Sequence, residues 1–289
     1  MSIKSKDNLI TMPQFSLERQ VENITPHQKL QFETHIVEHC NLNCQMCTHF
    51  SPLAQTEFAD INTFGKDLQR LHELFVDDVT YIMLLGGEPL LHPLLTQFLK
   101  ITRKIFPYTD IILYTNGILI PKMNEKFFET CKVNKITIVL TRYPIQMDYS
   151  VVNNLLDKYK INYKYCNTPG REKKSTHYPL DIWGNQNSKN SFLNCDMANR
   201  CIFLKDGKLY TCPMIPNVHH FNKYFNYNFE VTQKDYVDIY EAINKTEILE
   251  FLASPPPFCR YCDVSNRSIL HDWKRSKRSI EEWTLSKHI

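Results

Sequence analysis

Apolar positions along this chain switch between two periods. Phe32 to Val37 reads as a strand, whereas Phe64 to Phe75 sets Leu68, Leu71 and Phe75 on one helix face. The alternation continues with a strand at Val79 to Leu85, a helix at Leu91 to Ile105 and a strand at Ile111 to Thr115. A helix at Asn124 to Cys131, a strand at Ile136 to Leu140, a helix at Val151 to Tyr159 and a strand at Ile161 to Cys166 complete it. Strands joined by helical crossovers pair in parallel, so this half is predicted to be α/β, either barrel-like or doubly wound. Residues 1–30 show no strong period and read as an N-terminal extension. Asn167 to Asn190 is rich in Pro, Gly, Asn, Ser and charge, the composition of a long connection or active-site loop. The expected division is therefore an extension over 1–30, a core over 31–190, a cysteine-rich unit over 191–265 and a polar helical tail over 266–289.

Composition narrows the class. The longest apolar run, Tyr81 to Leu85, falls far short of the ~20 residues that span a bilayer, so no membrane segment is expected. Met1 to Phe15 mixes Lys4, Lys6 and Asp7 with single apolar residues, unlike a signal peptide, which places the chain in a reducing cytosol. There, ten cysteines in 289 residues read as metal ligands or catalytic thiols rather than disulfides. A net charge of +3 is too weak a field for a protein whose main work is gripping nucleic acid.

Three thiols share one short loop. Cys40-Asn-Leu-Asn-Cys44-Gln-Met-Cys47 directly follows the first strand, at the sheet edge where α/β folds place their chemistry. A cubane iron–sulfur cluster takes four ligands, so a loop supplying three leaves one iron open. Zinc completed by His39 or His49 fits the same spacing. The second strand runs into Gly86-Gly87-Glu88-Pro89, where two residues without side chains allow close approach and Glu88 can accept from an ammonium. The third ends in Thr115-Asn116-Gly117, a common turn sequence.

Over Phe32 to Cys166, C-x3-C-x2-C after the first strand and G-G-E-P after the second resemble the radical S-adenosylmethionine (SAM) superfamily. The resemblance implies a partial (β/α)6 TIM-like barrel, with Cys40, Cys44 and Cys47 holding a [4Fe–4S] cluster whose open iron binds SAM. It puts Met46 by the adenine, Gly86, Gly87, Glu88 and Pro89 around the methionyl ammonium, and Thr115 and Asn116 within reach of the ribose. It also implies a flavodoxin- or ferredoxin-type electron donor.

A second group of cysteines follows the core. Asp206-Gly207 is a two-residue hairpin signal. A turn there pairs Leu204 with Leu209, Phe203 with Tyr210 and Cys201 with Cys212, the last with Cβ atoms about 4.5–5.5 Å apart. Cys259-Arg-Tyr-Cys262 adds a metal knuckle, and together these thiols describe either a zinc ribbon or a cluster site. Behind a radical SAM core the arrangement resembles the twitch domain, a shortened SPASM domain with an auxiliary [4Fe–4S] cluster. Cys195, Cys201, Cys212, Cys259 and Cys262 are then five candidates for four ligand positions.

Other residues carry weaker signals. Cys131 reads as a buried apolar residue. Cys166, ending the fifth strand, and Arg142 with Tyr143, ending the fourth, face the cofactor edge. His49 is a candidate neighbour of the first cluster, and His219 and His220 of a substrate pocket. Lys274, Arg275, Lys277 and Arg278, with Glu281 and Glu282 at helical spacing, read as a solvated helix face. The resulting expectation is a radical SAM oxidoreductase that oxidises an alcohol of a small polyol, sugar or aminocyclitol, as twitch-bearing aminocyclitol dehydrogenases do. The alternatives are an epimerase of a sugar or peptide with Cys166 as hydrogen donor, and a non-catalytic zinc-binding interaction protein.

Overall fold

The computed structural model describes residues 24–166 and 174–285. Five strands lie side by side in parallel: β1 (Leu30–Val37), β2 (Val79–Gly86), β3 (Asp110–Thr115), β4 (Ile136–Leu140) and β5 (Tyr163–Tyr165). The crossovers are α1 (Ile61–Phe75), α2 (Leu95–Ile105), α3 (Glu125–Val133) and α4 (Tyr149–Lys158). Local chemistry starts three of these helices. The side chains of Asp60, Asn124 and Asp148 accept from first-turn backbone N–H groups of α1, α3 and α4.

Strand alternation sorts the side chains onto two cores. Phe32, Ile36, Ile82, Leu84, Ile111, Leu113, Ile138 and Leu140 pack with Leu68, Leu71, Phe98, Phe127 and Leu156 of the helices. The opposite face of the sheet, with Met83, Leu85 and Tyr114, meets a second core built from the C-terminal half, including Phe203, Tyr210, Ile215, Phe221 and Trp283.

The α/β class and the parallel core agree with the sequence. Of the six strands implied by the barrel resemblance, five stand in this order among the described residues. Beside β1, where a barrel would close, lies β7 (Phe203–Lys205), parallel to it. With β8 (Lys208–Tyr210) and β9 (Val237–Asp238), β7 extends the sheet to eight strands, ordered β5-β4-β3-β2-β1-β7-β8-β9. The cysteine-rich unit is thus hydrogen-bonded to the core through β1 and β7. Its helices are α5 (Ser188–Leu193), α6 (Met214–Phe225) and α7 (Lys245–Leu252). β6 (Lys174–His177) leaves the main sheet and pairs antiparallel with β10 (Ser268–Asp272).

The tail is not the expected helix. After β10, Gln45 and Ser276 N–H groups bond to the Lys274 and Asn43 carbonyls at 2.9 and 2.8 Å, so residues 274–276 run extended against the first cysteine loop. Glu282 does not pair with Arg278. Its carboxylate accepts from the Lys277 N–H and the Ser276 hydroxyl, both at 2.6 Å. Long-range backbone pairing here overrides the helical charge pattern. Among the described residues, no helix is long and apolar enough to cross a membrane.

Candidate functional site

The first cysteine loop leaves the end of β1 and is gripped from three directions. Asn43, Met46 and Phe50 take left-handed backbone angles, φ 54°, 61° and 53°, which fold the loop tightly. The strap at 274–276 pairs with residues 43–45, and Trp283, buried between Phe50 and Phe225, donates its indole N–H to the Cys47 carbonyl at 2.8 Å. From β3, Asn116 Nδ2 donates to Asn41 Oδ1 at 2.8 Å. Met46 is half-buried within the loop.

Cys40, Cys44 and Cys47 are free thiols within one another's electrostatic reach. Burial pushes Cys40 and Cys44 up to about 12 and raises Cys47 as well. Donors already point at these sulfurs. The Leu42 N–H lies 3.4 Å from Cys40 Sγ, and backbone N–H groups of His49, Phe50 and Ser51 face Cys47. Cys44 faces Tyr143 and the indole of Trp273, whose buried Nε1 has no hydrogen-bond partner among the described residues. A set of thiols surrounded by unspent donors fits thiolates bound to a metal cluster. Among the described residues, no three His, Cys, Asp or Glu side chains gather as tightly as a single ion requires.

The glycine pair has a structural reason that the sequence did not show. Gly87 N–H bonds to the Val37 carbonyl at 2.8 Å and Glu88 N–H to the His39 carbonyl at 3.1 Å, so the end of β2 lies directly against the backbone entering the cysteine loop. Glu88 is buried and already accepts three hydrogen bonds. Thr115 Oγ1 and the Leu90 N–H donate to Oε1 at 2.7 and 3.0 Å, and the Asn116 N–H donates to Oε2 at 3.0 Å. Burial pushes its pKa up to about 7, against the pull of those bonds. Pro89 opens the short turn that supplies the Leu90 donor. Glu88, Thr115 and Asn116 therefore form one knot tying the ends of β2 and β3 to the loop.

At the ends of β4 and β5, the Arg142 guanidinium stacks 3.6 Å from the Tyr165 ring centroid. Cys166 Sγ lies 3.1 Å from Thr141 Oγ1 and faces Tyr114. Tyr143 joins this corner to the first loop, with Cys40, Cys44, Cys166 and Tyr114 all around it.

The second cysteine group packs in and against the cores of the C-terminal half. Cys195 follows α5, Cys212 precedes α6, and Cys259 and Cys262 sit in and after the turn Pro257–Tyr261. Burial raises all four thiols, and Cys259 and Cys262 each feel Cys212 and Cys195. Cys201 differs. The hairpin pairs Phe203 with Tyr210 and Leu204 with Leu209 as the turn predicts, but beyond them the Asn199 N–H bonds to the Thr211 carbonyl at 2.9 Å. Asn199, at φ 57°, turns residues 197–201 back on themselves, so Cys201 does not stand opposite Cys212. Its neighbours are Glu33, Asp196, Cys195 and Cys212.

A buried polar chain that sequence reasoning missed links the two halves. Glu38 Oε2 lies 3.0 Å from His35 Nδ1 and 2.9 Å from His220 Nε2, and Oε1 accepts from Lys205 Nζ at 2.8 Å. His35 Nε2 in turn meets His49 Nδ1 at 2.6 Å. Burial opposes ionisation of Glu38, but the two rings and the ammonium together hold its carboxyl below the usual range. His220 thus serves this network, while His219 bonds the Pro216 carbonyl at 2.8 Å. The only sequence signal was two polar residues, His35 and Glu38, around the end of an apolar strand.

Residues 34–141 match the Radical SAM superfamily, so the chain carries a radical SAM domain, the class whose cofactors are SAM and a [4Fe–4S] cluster. Among solved structures, that of BtrN in complex with AdoMet and 2-DOIA superposes with a TM-score of 0.52 over 83% of this chain and 94% of BtrN. At 18% identity this likeness shows a shared fold. GTP 3′,8-cyclase of Sulfurovum sp. (strain NBC37-1) is 30% identical over 91 residues, 32% of this chain and 28% of that enzyme. Molybdenum cofactor biosynthesis protein 1 of Bos taurus is 30% identical over 113 residues, 37% of this chain and 18% of that protein. The chain thus spans less than a third of the length of these curated relatives.

Proposed function

We propose that this radical SAM enzyme oxidises an alcohol of a small polyol, sugar or aminocyclitol, and that an auxiliary [4Fe–4S] cluster accepts an electron. Cys40, Cys44 and Cys47 would hold the first cluster, and Cys195, Cys212, Cys259 and Cys262 the second. When bound, SAM and its cluster supply a hydrogen-abstracting radical, and the second cluster supplies a one-electron acceptor. The chain's own contribution is positioning. The Glu88 knot and the strap hold the first loop, and Tyr143, with Tyr114 against it, stands beside the loop. The carrying observation is that the free thiols fall in two separate sets, one on the loop after β1 and one in and against the cores of the C-terminal half. A flavodoxin- or ferredoxin-type donor in a reducing cytosol completes the scheme. The likeness to GTP 3′,8-cyclase covers about a third of the chain and supports the shared radical SAM core.

Anaerobic reconstitution tests this reading. Iron near eight per chain with matching acid-labile sulfide, and SAM cleavage under dithionite, are expected; zinc without sulfide and intact SAM would overturn it. Cys212→Ala should bring iron down to about four, whereas Cys201→Ser should keep about eight.

Epimerisation is the second reading, favoured by the placement of Cys166 beside Tyr114 and near Tyr143. Cys166→Ala should abolish product while deoxyadenosine still forms if that thiol returns a hydrogen atom. Unchanged turnover would remove Cys166 from the chemistry.

A further inference from the structure

One acid on the inner face is unaccounted for. Leu30, Phe32 and Ile36 of β1 pack into the helix-side core, so Glu33, at the alternate position, lies on the other face. There it is within electrostatic reach of Tyr81 on β2, Tyr114 on β3, and Cys201 and Cys212 beyond the hairpin strands. Tyr114 also faces Cys166, and Tyr143 faces both Tyr114 and Cys44. The order from one thiol set to the other is therefore Cys44, Tyr143, Tyr114 with Cys166, Glu33, and Cys212.

One oxygen of the Glu33 carboxyl, Oε1, has no partner in this row. That atom is buried, with no hydrogen-bond partner among the described residues. Burial alone pushes the pKa of Glu33 up to about 8, the behaviour of a carboxyl with no compensating cation. Buried polar groups in native proteins are nearly always satisfied, and an exception inside a site is accounted for by the ligand that fills it. Tyrosines and thiols around it offer neutral hydrogen-bonding groups, so the missing element is a positive charge.

We propose that Glu33 is a substrate-binding residue that receives an ammonium group, so that the substrate is an amine-bearing polyol held between the two thiol sets. This rests on the alcohol-oxidising reading above and sharpens its substrate class. An ammonium supplies charge and up to three donors to the carboxylate, and a hydroxyl supplies one donor and no charge.

Binding of amino sugars and aminocyclitols, each beside the same ring with a hydroxyl in place of the amine, tests the assignment by calorimetry on the anaerobically reconstituted, SAM-loaded protein. At least one amine should bind about tenfold or more tightly than its hydroxyl counterpart. Glu33→Gln should remove that preference while leaving the SAM Kd unchanged and the melting temperature equal or higher, because an unpaired buried carboxyl is lost. Preference retained in Glu33→Gln, equal binding of amine and hydroxyl rings, binding of none of the amines, or a lowered melting temperature would each overturn it. Failure of the alcohol-oxidising reading itself shows separately, as amine binding without oxidised product.

Discussion

Replacing Gly87 with alanine is expected to cost about 3 kcal/mol of stability and to empty the first cluster site. A Cβ on Gly87 would stand 2.1 Å from the His39 carbonyl oxygen, 2.2 Å from its carbon and 2.7 Å from the Cys40 nitrogen. All three are backbone atoms, so no rotamer change relieves the contact, and the cysteine loop itself must move. Iron should fall from about eight to about four per chain, because the second thiol set is untouched. Gly65→Ala is the informative control. Its Cβ meets only the Ile101 Cδ1 tip at 2.7 Å, which can rotate away, and alanine gains about 1 kcal/mol of helix propensity. Thermal melts and iron assays on the two variants separate loop displacement from a general effect of added bulk.

Glu88→Ala is expected to be comparably damaging, about 3–5 kcal/mol, through loss of partners rather than through overlap. It strands the Thr115 hydroxyl and the Leu90 and Asn116 N–H groups together, all in a buried setting. The loss should depend on pH. Burial raises the Glu88 pKa from 4.5 to about 7 in the folded chain, so the native state binds the proton more tightly than the unfolded one. The residue's contribution is therefore full below about pH 4.5 and declines as pH rises towards 7. The stability gap between wild type and Glu88→Ala, from denaturant melts, should be wider at pH 5.5 than at pH 8. A gap that widens with pH would reverse the assignment of Glu88 as a buried acid with a raised pKa.

These two sites mark where the sequence stopped being readable. Gly86-Gly87 was legible as a place of close approach, but not what approaches. The neighbour is the backbone of Val37 and His39, nearly fifty residues earlier, brought there by parallel pairing of β1 with β2. Glu88 read as an acceptor for an ammonium, and the sequence did not show that three donors of the chain already reach it. Cys201 was placed opposite Cys212 by extending an ideal hairpin, and the left-handed Asn199, four residues before the ladder begins at Phe203, breaks that register. The tail was read as helix from its charge spacing, since pairing with a loop some 230 residues away leaves no local trace.

By itself the sequence determined the α/β rhythm, the hairpin at Asp206-Gly207 and the placement of three thiols on one strand-end loop, all of which depend on spacings of a few residues. The tertiary structure alone decided that Cys201 leaves the hairpin register that would set it opposite Cys212, that residues 274–283 strap the first loop, and that Glu33 presents an unpartnered oxygen on the inner face. The division has one physical cause. Periodicity and turn chemistry act over a few bonds, whereas burial, counter-charge and donor supply depend on which distant segments the fold brings together.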